Sequence, residues 1–243
     1  MTPLVEAKGI AIPGRLEPMD LKVRGGELIA VIGPNGGGKT SLLRALAQVE
    51  GATGEVRIAG ETLSSLSPNR RTRLVGLLPA SREMVWPIAV RDLVTLGLGD
   101  HGAGAVEGAL VAFELDALAG RTVDRLSTGE RSRVLLARML AASPRLMLLD
   151  EPLANLDPYW VRALLHLLQA RRTEVQAATL ASLHDLTQLR HFDRVIAVEH
   201  GAVAFDGSPR DFLGSDEFAQ AFRVTANDLE LSLSQRADRQ SSP

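Results

Sequence analysis

The stretch Glu27-Leu28-Ile29-Ala30-Val31-Ile32-Gly33-Pro34-Asn35-Gly36-Gly37-Gly38-Lys39-Thr40-Ser41 decides how this chain is read. Glu27–Ile32 is a continuous apolar run ending in glycine, the pattern of a strand buried on both faces. Gly33–Thr40 matches G-x-x-x-x-G-K-[ST], and Thr40–Gln48 carries Leu42, Leu43, Leu46 and Ala47 on one helical stripe. Strand, glycine-rich loop and helix in that order make a phosphate cradle. Successive backbone N–H groups turn inward along a path glycine permits, and the helix N-terminus adds positive potential. Lys39 can reach β- and γ-phosphate oxygens, and the Thr40 hydroxyl can ligate Mg²⁺. A bare glycine-rich turn before a helix is the alternative; the flanking strand and helix weigh against it. Gly33, Pro34, Asn35, Gly36, Gly37, Gly38, Lys39, Thr40 and Ser41 are therefore candidate nucleotide-binding residues.

Outward from this unit, strands and helices alternate, which implies a mainly parallel sheet with right-handed crossovers. Residues 1–26 read as short antiparallel strands ending at the Gly25-Gly26 turn. Short strands follow around Val56–Ile58 and Leu74–Leu78, with the basic stretch Arg70–Arg73 between them. Residues 88–142 carry helical periods and read as an inserted helical subdomain, with Gly97–Gly108 glycine-rich and loosely structured. Arg145–Leu149, Thr179–Leu183 and Arg194–Val198 read as further buried strands. Pro158–Arg172 reads as a helix with Asp157 as N-cap and proline at its first position. Gly201 turns the chain into Ala202–Phe205. The tail from Ser208 is helical and then polar, and Gln235–Pro243 is expected to fray.

The 243 residues suffice for one large α/β domain. With 45% apolar and 23% charged residues the composition is that of a globular protein. The 27 basic and 29 acidic side chains leave a net charge of −2, which excludes binding driven by overall positive charge and gives no support for nucleic acid. Lysine occurs only at Lys8, Lys22 and Lys39, and there is no cysteine, so disulfides, thiolate metal sites and cysteine nucleophiles are excluded. No apolar run approaches the roughly 18 residues that span a bilayer. Residues 1–14 lack a basic-then-apolar secretory pattern.

Two further constellations carry chemistry. Asp150-Glu151 ends the apolar run Leu146–Leu149, and in a parallel sheet ligands bind at that edge. One carboxylate can hold Mg²⁺ through its water shell while the next takes the proton of an attacking water. Ser127-Thr128-Gly129-Glu130 reads locally as a capping box at a helix start. The box explains Ser127 and Glu130 but not Gly129, which weakens a helix start and is useful where another molecule's phosphate must approach the backbone.

Together these motifs resemble the ATP-binding cassette (ABC) ATPases. Leu126–Glu130, about twenty residues before Leu149-Asp150-Glu151-Pro152, is similar to the family's signature sequence. Ala154-Asn155-Leu156-Asp157 resembles its D-loop, and His184 in Leu183-His184-Asp185-Leu186 its switch histidine. Order and spacing agree over residues 1–215, leaving 216–243 as a tail. The resemblance implies an α/β P-loop cassette: a mainly parallel core sheet, an N-terminal antiparallel β subdomain and a helical insertion at about 88–142. It implies a head-to-tail pair of copies, each ATP held by residues 33–41 of one and by Ser127, Gly129 and Glu130 of the other. Glu151 would be the general base, Lys39 and His184 would serve the γ-phosphate, Thr40 and Asp150 would hold Mg²⁺, and Asp157 would communicate across the pair. The transmembrane path would belong to permease chains, with a solute-binding protein engaged indirectly and this chain peripheral on the cytoplasmic face of the membrane.

Three positions depart from the family pattern. Ile10, with Ile12 nearby, stands where the family usually has an adenine-stacking aromatic. Ala80, in Leu78-Pro79-Ala80-Ser81, stands in place of the usual glutamine, and Thr128 in place of the first signature glycine. The segment Trp86–Val94 resembles the start of the helical subdomain in metal-chelate importer ATPases, which serve iron–siderophore, haem or cobalamin uptake. An exporter cassette uses the same engine with different partners. Non-transport cassettes usually carry a coiled-coil insertion or two cassettes, neither visible here. A small-molecule kinase would share the phosphate loop without needing Ser127–Glu130.

Overall fold

The computed structural model describes residues 2–98 and 103–222. In chain order the elements are β1 (Val5–Ile12), β2 (Leu16–Val23), β3 (Leu28–Ile32), α1 (Lys39–Leu46), β4 (Thr53–Ile58), β5 (Glu61–Thr62), α2 (Pro68–Leu74) and β6 (Val75–Leu78). Then come α3 (Val90–Leu96), α4 (Ala103–Ala112), α5 (Thr128–Ala141), β7 (Leu146–Leu149), α6 (Pro158–Glu174) and β8 (Ala178–Ser182). The described chain closes with β9 (Arg194–Glu199), β10 (Ala202–Gly207), α7 (Pro209–Leu213) and α8 (Asp216–Phe222). Short 3₁₀ turns fill several connections.

Two sheets form. The smaller is antiparallel, in the order β2-β1-β4-β5; the larger has six strands in the order β10-β9-β3-β8-β7-β6. In the larger sheet β9, β3, β8, β7 and β6 run parallel and β10 pairs antiparallel at the edge. β3 is buried along its whole length and alternates between two cores. Ile29 and Val31 pack with Leu42, Leu43 and Leu46 of α1 and with the smaller sheet. Leu28, Ala30 and Ile32 face the opposite layer, where α3–α6 pack. The period of two thus puts one strand between two apolar layers, each side chain removing its surface from water. This is the α/β architecture expected.

Two local readings change. Arg70–Arg73 lies in α2, capped by Ser67, whose hydroxyl accepts from the Arg70 N–H at 3.3 Å, with Pro68 at the first helical position. Within Gly97–Gly108, residues 103–108 belong to α4, and Gly104 and Gly108 are helical, Cβ-sized space at both being open. Residues 99–102 of that stretch lie outside the described residues, as does the polar tail from residue 223, with Gln235–Pro243. Within the expected tail, residues 216–222 form α8, and Phe218 is buried in the main core with its ring 5.3 Å from Phe212.

Candidate functional site

The phosphate loop joins the end of β3 to the start of α1. Gly33 has φ +144°, and a Cβ there would lie 2.0 Å from the carbonyl oxygen of Val198 on β9. Only glycine lets the loop leave β3 so close to its neighbour strand. The loop is pinned by Gly37 N–H to Pro34 C=O at 3.0 Å and Gly201 N–H to Gly37 C=O at 2.9 Å. Lys39 is buried, and its Nζ donates to the carbonyls of Gly33 (2.9 Å) and Pro34 (3.0 Å). Burial lowers its pKa from the ordinary lysine value, while the charges of Glu151 and Asp150 oppose that shift. Asn35, Gly36, Gly38, Lys39, Thr40 and Ser41 open onto a cleft of about 1050 Å³, with Glu151 on one wall and Pro13–Pro18 and His200-Gly201 on others. A cleft of that size takes a nucleotide.

The acidic pair lies at the C-terminal end of β7 and connects to the loop through side chains. Thr40 Oγ1 donates to Asp150 Oδ2 at 2.7 Å. Ser182 Oγ, at the end of β8, donates to Asp150 Oδ1 at 2.7 Å and accepts the Glu151 N–H at 2.8 Å. His184 Nε2 lies 2.7 Å from Glu151 Oε1. Parallel pairing of β7 and β8 brings these two strand ends side by side. Thr40, Asp150, Ser182, Glu151 and His184 thus form one hydrogen-bonded chain from α1 to the turn after β8. The oxygens of Thr40 and Asp150 are the hard donors that Mg²⁺ takes, so the residues fit that ion.

Ser127, Gly129, Glu130 and Asp157 meet in a different place, a groove of about 270 Å³ shared with Asn155 and Trp160. The capping box is complete: Ser127 N–H to Glu130 Oε2 at 2.7 Å and Glu130 N–H to Ser127 Oγ at 3.3 Å. The Ser127 amide first, and then the Ser127 hydroxyl, hold the Glu130 carboxyl below its ordinary pKa. Asp157 Oδ1 accepts from the Trp160 N–H at 3.0 Å, capping α6. Trp160 packs against Phe113 with ring centres 6.1 Å apart, and the Arg133 guanidinium lies 4.6 Å over its ring. At Gly129 the one atom near a Cβ position is the carbonyl of Asn155, at 3.2 Å. Within one chain, then, the residues 33–41 and the residues 127–130 line separate surfaces.

Ile10 does not face the cleft. It is fully buried in the core beneath the smaller sheet, while Ala11, Pro13 and Arg15 line the cleft instead. The cause is irregular β1–β2 pairing, which shifts register on both sides of Ile10 next to Gly9, at φ +55°. A one-residue slip turns a side chain to the other face. Ala80 is exposed, without a side chain to reach the acidic pair. Two residues not singled out from sequence also enter the site. Ser182 is buried between the Asp150 carboxylate and the Glu151 amide, and Arg82 is buried with Nη2 donating to the carbonyls of Asp150 and Glu151, each at 3.2 Å. A serine ending the apolar run Ala178–Ser182 was the available signal for the first; nothing local marked the second.

Comparison with known proteins places this geometry. The profile of the ABC transporter family matches residues 16–154. A hemin import ATP-binding protein HmuV of Nocardia farcinica is 37% identical over 232 residues, covering 90% of this chain and 80% of that one. A cobalamin import ATP-binding protein BtuD of Halobacterium salinarum is 33% identical over 228 residues, covering 90% of this chain and 56% of that longer one. Among solved structures, one described as the ATP binding subunit of an ABC transporter shares the fold with a TM-score of 0.78 at 23% identity, covering 95% of this chain and 99% of that one. With a phosphate loop bonded to an acidic pair, a separate capped helix tip, and likeness running along most of its length, the chain belongs to the ABC transporter family.

Proposed function

We propose that the chain is the ATP-hydrolysing subunit of an ABC importer for a metal-chelate solute of the haem, cobalamin or iron–siderophore kind. The observation that carries the reading is the hydrogen-bonded chain from Thr40 through Asp150 and Ser182 to Glu151 and His184, which binds the phosphate loop to a carboxylate base. The solute class is supported by the hemin and cobalamin import named for the two relatives above.

Phosphoryl transfer asks chiefly for positioning and charge neutralisation. Loop amides and the α1 N-terminus receive the phosphates, and Lys39 exchanges its two carbonyl partners for phosphate oxygens. Thr40 and Asp150 would hold Mg²⁺, which when bound neutralises phosphate charge. Glu151 takes the proton of the attacking water, and His184 holds the Glu151 carboxylate from the far side. Pro13–Arg15 and Ala11 form the wall available to the base of the nucleotide.

The groove at Ser127, Gly129, Glu130 and Asp157 takes the phosphates bound by a second copy, arranged head to tail. Bridging nucleotide favours the closed pair, and hydrolysis removes the bridge. We take residues 1–215 as a single cassette with its helical part at about 88–142, onto whose core α8 packs Phe218. Permease chains supply the transmembrane path, the chain sits peripherally at the cytoplasmic face, and a solute-binding protein acts through the permease. Among the described residues no helix is long and apolar enough to cross a membrane. The exposed Val85-Trp86 pair, leading into α3, is the apolar surface suited to the permease.

The test is Glu151→Gln. It should bind ATP, form a dimer on size exclusion with ATP and Mg²⁺, and lose turnover by orders of magnitude. A monomer with wild-type turnover would overturn the proposal.

A further inference from the structure

Residues 79–87 lead from β6 across the sheet edge toward α3. Ala80, Ser81 and Glu83 are exposed, but Arg82 between them is only 6% exposed. Its Nη2 donates to the carbonyls of Asp150 and Glu151. Its Nε and Nη1 are buried without a hydrogen-bond partner among the described residues. Burying a guanidinium is costly, and leaving two of its three nitrogens unmatched adds to the cost. What offsets it lies next door: the charges of Asp150 and Glu151 attract it.

The backbone under that guanidinium is unusual. Glu151 has φ +50°, a left-handed conformation disfavoured for a residue with a Cβ. Such conformations persist where the surroundings over-determine them, and they gather at active sites. Ser182 Oγ accepts the Glu151 N–H, and the Arg82 guanidinium donates to the carbonyls that flank the Glu151 Cα.

We propose that Arg82 is a positioning residue for ATP hydrolysis, its guanidinium clamping the carbonyls of Asp150 and Glu151 so that the Glu151 carboxylate stays directed at the attacking water. The proposal rests on the ATPase reading above. It also accounts for Ala80: the polar group that this segment sends to the acidic pair comes from two residues further on.

The experiment compares the full chain with Arg82→Met, Arg82→Lys, Glu151→Gln and the double variant Arg82→Met/Glu151→Gln. Arg82→Met keeps the apolar stem and removes the donors. It should lower kcat about 10- to 100-fold, since one positioning contact of this kind is worth roughly that factor. KM for ATP and calorimetric ADP affinity should stay within about threefold, the split expected when only the transition state is affected. With ATP and Mg²⁺, Arg82→Met should accumulate the dimer that Glu151→Gln forms. Arg82→Lys should recover part of kcat. In the Glu151→Gln background Arg82→Met should cost nothing further, because a misplaced base cannot matter once the base is gone. Wild-type kcat in folded Arg82→Met, ADP affinity lost in proportion to kcat, or a full multiplicative loss in the double variant would each overturn the clamp. Should the methionine variant not fold, Arg82→Gln replaces it: lowered kcat at unchanged ADP affinity supports the clamp, and unchanged kcat overturns it. If Glu151→Gln itself keeps wild-type turnover, the base assignment falls; if only Arg82→Met does, the clamp alone falls.

Discussion

β8 carries two fully buried hydroxyls with opposite surroundings. Ser182 Oγ donates to Asp150 Oδ1 and accepts the Glu151 amide, whereas Thr179 Oγ1 has no hydrogen-bond partner among the described residues. Ser182→Ala therefore orphans two groups at once. Asp150 keeps Thr40 on its other oxygen, so it loses one of two side-chain donors. A hydrogen bond to a charged group contributes about 1.5–3 kcal/mol, and an unsatisfied buried N–H costs about 1–3 kcal/mol. Both losses hang on one hydroxyl and do not add in full, so about 2–4 kcal/mol of destabilisation is expected. Thr179→Val keeps the volume and removes a hydroxyl that bonds to nothing; it should be neutral or stabilise by about 1 kcal/mol. Urea unfolding followed by circular dichroism measures both. In thermal scans, at about 2–4 °C per kcal/mol for a domain of this size, Ser182→Ala should melt roughly 4–16 °C lower and Thr179→Val at or above wild type. Equal losses in the two variants, or a loss below about 0.5 kcal/mol for Ser182→Ala, would refute this hydrogen-bond account.

Further expectations concern the loop, the helical packing and the capping box. Lys39→Ala should weaken ATP and ADP binding in calorimetry by about 10- to 100-fold, the value of a charge-assisted contact to phosphate, and unchanged affinity would remove Lys39 from the site. Gly97→Ala should destabilise by about 1–3 kcal/mol, because the added carbon has no room in the packed layer. Its Cβ would sit 2.3 Å from the Arg138 carbonyl oxygen on α5, so a wild-type Tm would contradict that close approach. Glu130 has its pKa held below the ordinary 4.5, first by the Ser127 amide and then by the Ser127 hydroxyl. Because the folded-state value is the lower one, its contribution is fully present above the unfolded value and disappears as pH falls through the folded value. Unfolding midpoints followed downward from about pH 6 should therefore converge for wild type and Glu130→Gln at the acid end, and a constant difference would contradict the linkage.

Much of the site is legible because its signals are contiguous. The apolar run of β3, the glycines, Lys39 and Thr40 lie within one strand–loop–helix unit, and their spacing is itself the chemistry. The same holds for Ser127 with Glu130 and for Asp157 capping α6, where partners stand three residues apart. The helix α2 was marked by Ser67-Pro68, a cap and a first-turn proline, but the basic run after it carries no apolar stripe to reveal a period. In α4 the glycines argue against a helix, and packing of Val106 and Leu110 into the core overrides that propensity.

Composition, the alternation of the main strands and helices, and the local motifs followed from sequence alone, since each rests on groups that neighbours along the chain bring together. The tertiary structure decided the face to which Ile10 turns, because a bulge beside Gly9 shifts a register that alternation cannot locate. It also decided that Ser182 and Arg82 meet Asp150, at sequence separations of 32 and 68 residues. A buried hydroxyl or guanidinium takes its meaning from the partner it finds across the sheet edge, and folding alone brings that partner within hydrogen-bond distance.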